Sequence, residues 1–190
     1  MRSQTNQLIY TLWMLVFLLW FITAARSKQT IQSRERGASR CAVWIVWLAW
    51  FLLLSHGFRN TVLTQRFAPM SDTAAYVGLA VTLAGLGFSV WARFYIGRNW
   101  SGLIELKKDH QLIRTGPYAI VRHPIYSGFM LATLGTAIAY GEVSGLVAFI
   151  LILAAWGYKS RLEEKVLIEH FGAEYERYRK DVKGLIPLLW

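Results

Sequence analysis

Cysteine is all but missing from this chain. Among 190 residues there is one, Cys41, so no disulfide can close within the chain and no cysteine-built metal site can form. Cys41 opens an apolar stretch, which predicts a buried, inert thiol. Charge is also scarce, at 17% of residues, where soluble domains average about 25%. What charge there is leans one way, with 21 Lys and Arg against 11 Asp and Glu. The glycine fingerprints of Walker and Rossmann sites are absent, as is the nucleophile elbow of the serine hydrolases. The four histidines (His56, His110, His123 and His170) lack metal-ligand spacing. No metal site is expected, and a nucleotide-like cofactor would have to be held by a different architecture. There is no internal repeat and no low-complexity tract.

Apolar residues, in contrast, are abundant: 55% of the chain is hydrophobic, with nine Trp. Five runs are long and apolar enough to cross or nearly cross a bilayer: Leu8–Ala25, Ala42–Phe58, Ala74–Ile96, Tyr126–Tyr140 and Val143–Tyr158. A straight span needs about 20 residues, so the last two are short, and the Gly141-Glu142 turn between them predicts a tight helical hairpin. The first run lacks a strongly basic start and a convincing cleavage site, and reads as a retained helix. Trp13, Trp20, Trp91 and Trp156 lie near the ends of runs, suiting either the membrane interface or core packing. Small residues in the third and fourth runs (Gly78, Ala84, Gly85, Gly87; Gly128, Ala132, Gly135) predict close helix contact.

The basic residues test this topology. Segments 26–40, 93–125 and 159–183 together hold 18 of the 21 Lys and Arg. Five crossings with the N-terminus outside place all three on the cytoplasmic side, as the positive-inside rule requires. The expected fold is therefore all-α and polytopic, a single integral-membrane domain. Residues 1–92 carry three spans; 93–190 carry a cytoplasmic loop, the hairpin and a C-terminal amphipathic helix. A basic cytoplasmic face attracts anionic membrane lipid; nucleic acid is not an expected partner.

Polar chemistry concentrates in two places. The loop Arg93–Ile125 is too long to be a plain connection and carries Trp100, His110, Tyr118, Arg122 and His123. His123 precedes Pro124, which biases its backbone toward an extended form. The tail Ser160–Val182 reads as an amphipathic helix that Gly172 would divide. Its Glu163 and Glu164 are either a solvated pair complementing the helix dipole or carboxylates for a cationic or hydroxyl-bearing ligand. Arg122 could equally snorkel to headgroups.

The motifs are specific in combination. His110-Gln111-Leu112-Ile113, Gly116-Pro117-Tyr118, Arg122-His123-Pro124-Ile125-Tyr126-Ser127-Gly128, and Glu163-Glu164 followed by Phe171-Gly172-Ala173-Glu174-Tyr175 occur in order over the last half of the chain. In these, the chain resembles the isoprenylcysteine carboxyl methyltransferase group of membrane enzymes, with phospholipid methyltransferases as more distant relatives. The resemblance implies S-adenosylmethionine as cofactor, contacted by His110, Gln111, Leu112, Ile113, Tyr118, His123, Pro124, Ile125, Tyr126 and Glu163. It also implies a lipophilic methyl acceptor, oriented by Lys159, Arg161 or Arg122. Eukaryotic members carry Arg where this chain has Lys159, which keeps the charge without the bidentate fork. An ionised carboxylate acceptor would need no base; a thiol, amine or phenol would need one, from His123 or Glu164. A sterol-reductase-like NADPH enzyme and a non-enzymatic membrane scaffold are the rival readings.

Overall fold

The computed structural model describes residues 2–24, 30–33, 36–55, 61–68, 71–102, 105–107 and 111–187. Six helices dominate: α1 (Arg2–Ala24), α2 (Arg36–Leu54), α3 (Asp72–Ile96), α4 (Pro124–Tyr140), α5 (Val143–Phe171) and α6 (Ala173–Asp181). Of these, α1, α3 and α5 are long and apolar enough to cross a membrane; the apolar part of α2, Ser39–Leu54, is shorter. Large apolar side chains point outward along the bundle, including Phe21 (81% exposed) and Trp44 (72% exposed), as expected of helices whose surroundings are lipid.

Local chemistry sets the helix ends. The Ser71 side chain accepts from the Ala74 N–H at the start of α3. Pro124 opens α4, where its missing N–H costs nothing. Gly141, at φ +65°, caps α4 in the left-handed region that glycine tolerates best. The expected hairpin between α4 and α5 is therefore present.

The closest packing is between α3 and α4. A Cβ on Gly78 would stand 2.5 Å from the Gly135 carbonyl oxygen, and one on Gly135 would stand 2.5 Å from the Thr82 nitrogen. The backbones touch there, which only glycine permits. Gly85 and Gly128 meet in the same way, but Gly87 has nothing within 4 Å and takes no part. Ser89 donates to the Ile125 carbonyl at 3.0 Å, and the Thr82 and Thr136 hydroxyls pair at 3.2 Å. Trp13 of α1 is fully buried, donates to Thr136 at 3.0 Å, and packs against Trp50 of α2 and Phe129 of α4.

Several expectations need correcting. Cys41 is exposed, because α2 turns apolar residues outward to lipid as well as inward. The tryptophans divide between the two readings left open for them: Trp13 and Trp156 are core residues, whereas Trp91 is 47% exposed. The fifth run and the first part of the tail form one unbroken helix of 29 residues, which ends where Gly172 takes φ +53°. Helix α3 runs on to Ile96, so Arg93 is not in a loop. It is buried, donates to the Thr23 and Gly97 carbonyls, and lies over Trp100. The fold is nearly all helical, as expected, with one short exception: β1 (Thr30–Ser33) and β2 (Glu105–Lys107) pair antiparallel.

The alternation of helices sorts the connections into two ends. One end joins Arg2 to Asp72 and Arg66 to Glu142. The other gathers the end of α1, the β1–β2 pair, the turn before α4 and the far part of α5.

Candidate active site

The segment before α4 is built to hold its side chains in place. Gly116 takes φ +60°, and a Cβ there would strike the Tyr95 ring at 2.6 Å, so this turn requires glycine. A turn of 3₁₀ helix, Gly116–Ala119, then buries Pro117 and Tyr118. The Tyr118 carbonyl accepts the Tyr178 hydroxyl of α6 at 2.6 Å. Main-chain bonds from Arg122 to Lys183 (2.8 Å) and from His123 to Gly184 (3.0 Å) fasten the next residues to the segment after α6. Ser127 adds a bond to the Leu185 carbonyl at 2.5 Å. His123 precedes α4 with φ −123° and ψ 61°. Its φ is extended as expected before proline, but its ψ is not, because the chain is already turning into the helix.

Helix α5 faces this segment with its carboxylates. Arg122 directs Nε (2.8 Å) and Nη2 (2.6 Å) onto one oxygen of Glu164. Its Nη1 donates to the carbonyls of Arg179, at 3.2 Å, and Val182. His123 lies between the acids, with Nε2 3.2 Å from Glu164 and Nδ1 3.5 Å from Glu163. Burial alone would lower the His123 pKa, but hydrogen bonds and charge from Glu163 and Glu164 outweigh it and hold the value above the ordinary one. The Tyr126 hydroxyl donates to Glu163. Lys159 is buried, donates to the Gly102 carbonyl at 2.8 Å and stands 3.6 Å from Glu163. The rings of His123, Tyr126 and Trp156 stack nearly parallel, with centroids 5.6 and 4.2 Å apart.

A cavity open to solvent on one side lies beside this network. Gln111, Leu112, Ile113 and Tyr118 line it from the connection; His123, Pro124, Ile125 and Tyr126 line it from the start of α4; Glu163 lines it from α5. The structure thus brings together every expected cofactor residue that it describes; His110 lies outside the described residues. Of the three expected acceptor-orienting cations, Arg122 reaches the wall, already committed to Glu164 and two carbonyls. Lys159 and Arg161 are not on the wall, and Arg161 is exposed. Sequence reasoning missed Asn99, Ser101, Val166, Leu167, Tyr175 and Tyr178, which also line it. A signal existed for the two tyrosines: α6 reads AEYERYRKD, and they are its two large aromatic side chains, three residues apart, hence on one face.

A buried network of paired ions beside a partly apolar chamber, at one end of an apolar bundle, is the arrangement expected of an enzyme of the membrane. The sequence model of the phospholipid methyltransferase family matches residues 73–174, just over half of the chain, and defines it as an integral-membrane methyltransferase. Protein-S-isoprenylcysteine O-methyltransferase of Schizosaccharomyces pombe is 34% identical over 164 residues, 78% of this chain and 68% of the relative. The Saccharomyces cerevisiae enzyme of the same name is 30% identical, over 97% of this chain and 80% of the relative. A solved eukaryotic intramembrane Ras methyltransferase, isoprenylcysteine carboxyl methyltransferase, superimposes with a TM-score of 0.51 at 25% identity. The match covers 82% of this chain and 54% of that one. The chain belongs to the isoprenylcysteine O-methyltransferase family; neither a sterol-reductase-like activity nor a scaffold role is favoured.

Proposed function

We propose that the protein uses S-adenosylmethionine to methylate the carboxylate of a lipophilic, isoprenylcysteine-type acceptor at the cytoplasmic face. Five helices, α1 to α5, would cross the membrane with the N-terminus outside, which puts the basic segments and the cavity on the cytoplasmic side. The cavity suits the cofactor in the character of its wall. Leu112, Ile113, Val166 and Leu167 offer apolar wall, and Glu163 offers a carboxylate for a hydroxyl or ammonium group. When bound, S-adenosylmethionine supplies a reactive methyl group on a positively charged sulfur.

The observation that carries the carboxylate assignment is the state of His123. Each ring nitrogen faces an acid, so neither is free to take a proton from an acceptor. Glu164 is occupied by Arg122 and His123. A site without an available base suits an acceptor that is already ionised, and a C-terminal carboxyl, with a pKa of roughly 3.3, is ionised at neutral pH. Catalysis would then rest on alignment in a dry site. Lys159, buried behind the cavity wall, balances the charge of Glu163 and would act on the acceptor only through that carboxylate. Arg122 is better placed to lock the loop than to meet the acceptor.

The test is incubation of purified protein with methyl-labelled S-adenosylmethionine and either an S-prenylated cysteine derivative or total lipid extract. A carboxyl methyl ester releases its label as methanol in alkali. Alkali-stable label would instead show transfer to nitrogen or sulfur and overturn the carboxylate assignment.

A further inference from the structure

Two polar atoms on residues of the cavity wall have no partner within the protein. Tyr175 of α6 is 1% exposed, and its hydroxyl makes no hydrogen bond. The side-chain oxygen of Asn99, just after α3, is equally sealed and equally unpaired. The contrast with Tyr178 is instructive. Its hydroxyl is spent on the Tyr118 carbonyl, and its ring meets Tyr175 edge to face at 5.9 Å. Helix α6 is therefore anchored without help from the Tyr175 hydroxyl. A buried hydroxyl left unpaired costs roughly 1–3 kcal/mol, and phenylalanine would fill the same space without that cost.

We propose that Tyr175 and Asn99 are two further binding residues for the methyl donor. The Tyr175 hydroxyl donates to an acceptor atom of the bound cofactor. The Asn99 oxygen receives an N–H or O–H from the cofactor's other end, beside the indole of Trp100. Together they set the cofactor's direction between α6 and the end of α3. Burial, reinforced by the charge of Glu164, pushes the Tyr175 phenol up, so it keeps the proton it would donate. The inference rests on the reading of this cavity as the methyl-donor site.

The experiment measures equilibrium binding of S-adenosylhomocysteine to the full chain in detergent, together with the thermal midpoint without ligand. For Tyr175→Phe the dissociation constant should rise about tenfold, while the unliganded midpoint stays level or rises because an unpaired group has been removed. Asn99→Ala should weaken binding in the same direction. Tyr178→Phe, which loses a real bond, should lower the midpoint and serves as the structural control. Unchanged affinity in Tyr175→Phe overturns the proposal, and so does a loss of affinity that comes with a lowered midpoint, which would indicate general loosening. Failure of the wild-type protein to bind S-adenosylhomocysteine would overturn the cavity reading itself.

Discussion

The two ends of the bundle use the same residue types to different effect. At one end Arg66 meets Glu142 at 3.8 Å, with side chains 39% and 26% exposed, and also donates to the Tyr140 carbonyl. At the other, Arg122 meets Glu164 at 2.6 Å, with side chains 11% and 15% exposed. The first pair is a solvated clasp across the α4–α5 turn, next to main-chain bonds Phe67–Gly141 and Val143–Gln65. The second belongs to a network in which His123, Tyr126 and Lys159 share Glu163, and His123 also reaches Glu164. Charges that close on themselves in water hold a turn, whereas charges kept together beside a chamber and away from water mark a place for chemistry.

That contrast can be broken by substitution. The largest effect is expected from Glu163→Gln, which removes the carboxylate shared by His123, Tyr126 and Lys159; methyl transfer, followed with labelled donor, should fall by about a hundredfold or more. Arg122→Lys comes next. A lysine can meet Glu164 or the carbonyls at the end of α6 but not both, so stability should drop by about 1.5–3 kcal/mol, the cost of lost hydrogen bonds to a charged group. Arg66→Lys should cost less than about 1 kcal/mol; thermal midpoints in detergent would compare them, and equal losses would erase the distinction between the ends. Gly85→Leu, in the contact of α3 with α4, should cost about 2–3 kcal/mol by overpacking, while Gly87→Leu, which faces open space, should leave the midpoint within about 0.5 kcal/mol.

The smallest effect is a matter of pH. The folded-state pKa of His123 is raised above 6.5. Its stabilising contribution is therefore complete below that value and is lost as pH climbs through the folded-state pKa. The stability difference between wild type and His123→Gln should accordingly shrink from pH 6 toward alkaline pH. A difference that grew would mean that the imidazole is buried neutral.

Much of this arrangement could be read from the chain, and the exceptions have physical causes. Helices α1 to α5 announce themselves as apolar runs, and the α4–α5 hairpin as Gly141-Glu142. Gly172 was legible as a break because nothing else in the tail tolerates a positive φ. The unbroken passage of α5 into Glu163 and Glu164 was hidden, since a change from apolar to charged residues looks like an end when it is only a change of surroundings. Cys41 misled for a related reason: in a soluble protein an apolar stretch predicts burial, but here its outer face meets lipid. The β1–β2 pair is too short to carry a pattern. For the site, neighbours in sequence were visible as a motif, but the committed state of Arg122 and the wall residues Asn99 and Tyr175 depend on contacts between distant segments.

The length of α5 fixes one more property. Twenty-nine residues make a rod of about 44 Å, while the hydrocarbon layer is about 30 Å thick. Upright, such a rod would leave about ten residues outside the layer, and Glu163 and Glu164 lie about 20 residues along it. On the proposed function the helix would act as a ruler for the depth of the reaction, and an acceptor would offer its reactive oxygen at the headgroup level while its tail stays dissolved below.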